Sequence, residues 1–130
     1  MRYKRPDNKN AISIVEAAKR DMKFTLSLKI TEESGPTIIR NIYECFRMIG
    51  DALLVAKGIK SEDHITPINE LMAVKVDTPR PIKIVGNLRG LRHNINYYGY
   101  KPSLIEVEEA IAVAESIFEP LLNAVKKQIK

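Results

Sequence analysis

The chain has 130 residues, of which 45% are hydrophobic and 28% charged. That balance belongs to a folded globular protein of one domain, residues 1–130, and not to a disordered chain. Lysine and arginine number 21 against 16 aspartate and glutamate, and the resulting +5 favours an anionic partner without bearing on fold. Cys45 is the only cysteine, which rules out an internal disulfide and a cysteine-built zinc site and fits a reducing cytoplasm. No uncharged apolar run approaches the ~18–20 residues of a membrane span, and the opening residues lack the apolar core of a signal peptide. The expectation is a cytoplasmic protein with no membrane partner.

In chain order, residues 9–30 carry Ala11, Val15, Ala18, Met22, Leu26 and Lys29 at helical spacing. The stretch from Lys23 to Ile30 also alternates like a strand, but a lone strand would lack a partner, which favours helix. Residues 37–57 place Ile38, Ile42, Cys45 and Ile49 on an apolar seam broadened by Ile39, Phe46 and Leu53, with Pro36 in the first turn. Thr66-Pro67 opens a short helix over 67–75. Residues 80–98 repeat the helical step through Ile84, Leu88, Leu91, Ile95 and Tyr98, with Thr78 as cap and Pro79 at the start.

The last segment, 104–125, steps through Leu104, Val107, Ile111, Ala114, Phe118, Leu121 and Val125. Ser103 and Glu106 have the spacing of a capping box, in which hydroxyl and carboxylate each take one otherwise unpaired amide. Pro120, with no N–H for the carbonyl of residue 116, is expected to bend or break this helix. Together these segments predict an all-α antiparallel bundle of four long helices and one short one.

Charge is uneven along the chain. From Thr78 to Ile105 there is no acidic residue, while Arg80, Lys83, Arg89, Arg92 and Lys101 supply five positive charges. The same window holds Tyr97, Tyr98 and Tyr100. Cations for phosphates and rings for bases are what a single-stranded nucleic acid requires. At about 100° per residue, Arg89, Arg92 and Asn96 share one flank of this helix, and Gly86, Gly90, His93 and Tyr97 another. Two glycines inside a helix cost roughly 1 kcal/mol each relative to alanine. That cost points to something approaching closely, and a second subunit on Gly86 and Gly90 is the preferred candidate.

The run from Leu88 to Gly99, Leu-Arg-Gly-Leu-Arg-His-Asn-Ile-Asn-Tyr-Tyr-Gly, late in a helical chain and followed by a capped terminal helix, resembles a HEPN domain. The resemblance implies an α-helical bundle, commonly a homodimer. It implies RNA binding or metal-independent RNA cleavage, and in toxin–antitoxin systems pairing with a small nucleotidyltransferase. The family pattern is an Arg, a polar residue, and a His after four to six intervening residues. Arg92 and His93 match its first two positions, and Tyr97 stands where the His is expected. A phenol is a poor general base at neutral pH, where an imidazole exchanges its proton readily. The expected function is therefore RNA binding or partner recognition through Arg89, Arg92, His93, Asn96 and Tyr97. The alternative is an endoribonuclease in which Arg92 clamps phosphate while Tyr97 or His93 handles the proton.

Other chemistries lack the residues. His64 lies in an acidic loop beside Glu62 and Asp63, which reads as solvated and not as a metal site. Cys45 on its apolar seam reads as a small hydrophobe. No glycine-rich phosphate loop follows a strand, so no metal and no cofactor is expected.

Overall fold

The structure, a computed structural model, describes residues 2–63 and 65–129. It is all-α, with helices α1 (Asn8–Leu26), α2 (Gly35–Ala56), α3 (Ile65–Met72), α4 (Val85–Tyr98) and α5 (Leu104–Ile129). A single 3₁₀ turn, Ile82–Ile84, leads into α4. Two residues at each of two sites form a small antiparallel β pairing, Arg2 opposite Lys60 and Tyr3 opposite Ile59. None of the helices among the described residues is long and apolar enough to cross a membrane.

Helix α2 is the hub. It packs against α1, α3, α4 and α5, while α1 and α5 also touch each other. Its apolar residues follow the predicted seam and extend past it. Ile38, Ile39, Ile42, Tyr43, Phe46, Ile49 and Ala52 are wholly inaccessible. At roughly 1.5–3 kcal/mol for each large apolar side chain removed from water, this helix contributes the largest share of the core. Phe46 meets Phe118 of α5 edge to face at 5.3 Å. The ends of the chain are tied together where the Asn8 amide donates to the Ile129 carbonyl at 3.0 Å and Lys126 pairs with Glu16 at 2.6 Å.

Local signals set most boundaries. Ser103 and Glu106 form the predicted capping box: Glu106 N–H donates to Ser103 Oγ at 3.2 Å and Ser103 N–H to Glu106 Oε1 at 2.9 Å. Helix α5 runs unbroken through Pro120, which is half-buried, and extends to Ile129. Helix α1 stops at Leu26 and not at residue 30. There the Ser27 hydroxyl donates to the Phe24 carbonyl at 2.6 Å, and beyond it Thr31 and Ser34 exchange side-chain to backbone bonds. Such local bonds compete with both helix and strand, and residues 27–34 form neither before α2 begins at Gly35.

Two starts differ from the sequence expectation. Helix α4 begins at Val85 after its 3₁₀ turn, not at Pro79. Pro81 holds φ −59° and ψ 131°, and a residue that precedes proline, here Arg80, is driven away from helical backbone. The Thr78 hydroxyl turns to the Arg80 carbonyl. Helix α3 starts earlier than Pro67, because the Asp63 carboxylate accepts the Thr66 N–H at 2.7 Å. That bond, with a second from the Thr66 hydroxyl, holds the Asp63 carboxyl below its ordinary range.

Helix α3 reaches α2 at one close point. A Cβ on Gly50 would lie 2.2 Å from the Pro67 carbonyl oxygen and 2.8 Å from its carbon, so backbone meets backbone there. Gly50→Ala is therefore expected to push α3 off α2 and to lower stability by about 3 kcal/mol. Urea unfolding of the variant beside the parent checks this.

Candidate nucleic-acid interface

Helix α4 buries only Val85, Leu88 and Ile95, and lies on α2. Between α4 and α5 remains an open cleft of about 310 Å³ lined by Ile84, Leu88, Leu91, Ile105 and Val113. The outer surface of α4 carries the residues singled out from sequence. Arg89, His93, Asn96 and Tyr97 are exposed and Arg92 is half-buried.

Arg92 leans inward. Its guanidinium sits over the ring of Tyr43, 5.6 Å from the centroid, a cation–π contact between α4 and α2. Tyr43 is wholly inaccessible, and burial pushes its phenol above the ordinary value against the pull of Arg92, Arg47 and Arg89. The Asn96 amide lies between two guanidiniums: its oxygen accepts from Arg92 Nε at 3.2 Å and Nη2 at 3.3 Å, and Arg40 Nη1 stands 3.4 Å from its other end. Arg40, on α2, thus belongs to the same cluster. Sequence reasoning missed it because only the packing of α2 on α4 brings it there.

A ring cluster forms the C-terminal part of this surface. His93 lies against Tyr97, with centroids 4.6 Å apart and planes tilted by 39°, and meets Tyr98 edge-on at 5.8 Å. Tyr97 and Tyr98 are 68% and 76% exposed, far more than core aromatics. The apolar stripe of α4 was expected to include Tyr98; it ends at Ile95, because the helix stops at Gly99 in the left-handed conformation, φ 63°. Tyr100 stands apart. Its hydroxyl donates to Glu106 and so reinforces the α5 cap, and with the Ser103 amide this holds the Glu106 carboxyl below its usual range.

The positive window is partly neutralised by tertiary contacts. Arg80 pairs with Glu109, and Lys101 with Glu32 at 3.2 Å. Lys83, Arg89 and Arg92 make no ion pair among the described residues. The glycine face is open. A Cβ on Gly86 would meet only Met72 Sδ at an ordinary 3.7 Å, and one on Gly90 nothing within 4 Å. Nothing among the described residues therefore approaches Gly90 closely.

Elsewhere the chemistry is quiet. Cys45 is 1% exposed, and burial, with Asp21 and Glu44 nearby, raises its thiol to about 12, so it carries no thiolate at neutral pH. No group of three His, Cys, Asp or Glu able to hold a metal occurs among the described residues; His64 lies outside them.

Beside Tyr43, Arg47 donates to Glu44 and, at 2.6 Å, to Asp51. The hydrogen bond to Glu44 is the main support of the Arg47 charge, whereas burial outweighs Arg47 at Asp51 and raises that carboxyl. A carboxyl held above its unfolded value favours the native state when protonated. That contribution is complete below the ordinary value near 3.8 and is lost as pH rises through the native one. Asp51→Asn should therefore stabilise the chain at neutral pH by up to about 1 kcal/mol, the scale of a partly exposed pair, with the gain vanishing in acid. Thermal melts across pH measure this. In comparisons with known proteins, no family model, no curated protein and no solved structure matches the chain.

Proposed function

We propose that the chain is an RNA-binding or partner-recognition module of HEPN-like architecture, an antiparallel helical bundle that presents the surface of α4 to its ligand. One observation carries this reading: the exposed ring cluster of His93, Tyr97 and Tyr98 lies on the same helix as Arg89 and Arg92, which make no ion pair among the described residues. Guanidiniums attract the phosphate chain and fix its position, and open rings accept unstacked bases. The contact between His93 and Tyr97 is ring against ring, an arrangement suited to stacking.

Gel titration of labelled RNA in EDTA tests the reading. Arg92→Ala is expected to flatten the dependence of log affinity on log salt by about 0.7, the share of one phosphate on a single strand. Tyr97→Ala should weaken binding about tenfold while leaving that slope unchanged, because stacking releases no counterions. Wild-type affinity and slope in both variants would remove α4 from RNA binding. RNA cut to cyclic-phosphate ends in EDTA, in an Arg92-dependent way, would replace this reading with the endoribonuclease one.

The partner part of the proposal is a homodimer through the Gly86 and Gly90 face, with a nucleotidyltransferase-type protein as the alternative occupant. The open space around Gly90 supports it, since no contact among the described residues accounts for a glycine there. Gly90→Ala separates the cases. On a free surface it raises helix stability by about 1 kcal/mol; in a packed dimer it weakens association. Light scattering and melts over a concentration series read both.

A further inference from the structure

Arg40 is an arginine of the central helix that no stability argument needs. It is exposed, makes no ion pair among the described residues, and its remaining bond, to Thr37 Oγ1, is long at 3.5 Å. The nearby carboxylate on the same helix, Glu44, has both oxygens taken by one edge of the Arg47 guanidinium. Across the helix boundary, Arg40 meets one end of the Asn96 amide and Arg92 meets the other. Asn96 has one oxygen to give and turns it to Arg92, so Arg40 keeps its donors for something else.

Two like charges at the ends of one neutral amide repel each other, and an anion placed between them removes that repulsion. From this geometry we infer that Arg40 and Arg92, flanking Asn96 from two helices, form a fork that grips one phosphate group. The inference deepens the RNA-binding reading and rests on it for the identity of the ligand. A phosphate suits the fork better than a carboxylate. Its non-bridging oxygens point in different directions, so guanidiniums arriving from two helices can each take one. Arg92 is held in place by its seat on Tyr43, so only Arg40 and the amide have to move. The rings of His93 and Tyr97 continue along α4, so a base attached to the gripped phosphate has a stacking surface on the same helix.

Inorganic phosphate, added at constant ionic strength, probes the fork without RNA. It should raise the melting temperature of the parent, and Arg40→Gln and Arg92→Gln should each abolish the rise. With oligoribonucleotides, Arg40→Gln should weaken binding about tenfold, as Arg92→Gln does. Matched strands with a 5′-phosphate or a 5′-hydroxyl identify the source: equal losses mean an internal diester, and a loss confined to the phosphorylated strand means a terminal monoester. Arg40→Lys keeps the charge and loses the planar donor pair, so it should restore the salt slope but not the affinity. The fork is overturned if Arg40→Gln, folded by its melt, retains the parent's phosphate response and RNA affinity while Arg92→Gln loses both. Loss of the phosphate response in both variants with RNA affinity intact would keep the fork and refute the RNA reading instead.

Discussion

Everything in this chain is arranged by the burial of one helix. The inaccessible positions of α2 span roughly 200° of its circumference, from Ala52 through Ile49, Ile42 and Phe46 to Tyr43 and Leu54. A helix so covered needs neighbours on several sides, and α1, α3, α4 and α5 supply them. It also has little polar surface left. Arg40, Glu44, Arg47 and Asp51 share that strip, and Tyr43 marks its border with the core. The ion pairs along the strip are partly exposed, each contributing at most about 1 kcal/mol, less than one buried isoleucine. Packing therefore decides where the strip lies, and the charges accommodate to it.

The border position of Tyr43 explains the character of the α4 surface. An arginine beside a helix of this kind would ordinarily project into water. Here a fully buried ring gives Arg92 a flat, electron-rich seat, so its charge is oriented by the core itself. The neighbouring Arg89 has no such seat and is exposed. Two arginines three residues apart on α4 thus differ in whether the core orients them.

Legibility in the sequence followed the range of the interaction. The capping box of Ser103 and Glu106 was readable because both bonds close within four residues. The seam of α2 was readable because periodicity integrates over many turns. What escaped were contests between nearby signals and contacts between distant ones. Thr78 and Pro79 are a plausible helix start, yet Pro81 two residues on overrules them. Asp63 outcompetes Thr66 as the cap of α3 through a loop bond that spacing alone does not rank. The acid-free window correctly marked the basic segment. Its charge was overcounted, however, since Glu109 and Glu32 arrive from other elements, and Tyr100 was drawn into the α5 cap. Arg40 carries no local signal at all, since its meeting with Asn96 spans 56 residues of sequence.

The slender footing of α4 has its own consequence. This helix is anchored by three buried side chains and stands off α5 across a cleft, whereas α2 and α5 are each locked by ten or more. Segments with so small a share of the core open in fluctuations that leave the rest of a fold intact. The amides of α4 would then exchange with solvent sooner than those of α2, through an opening smaller than global unfolding. Any ligand that bridges α4 to α2 closes that opening by mass action. Occupancy of the surface would be written into the exchange rates of Leu88, Leu91 and Ile95, residues of the apolar face of α4.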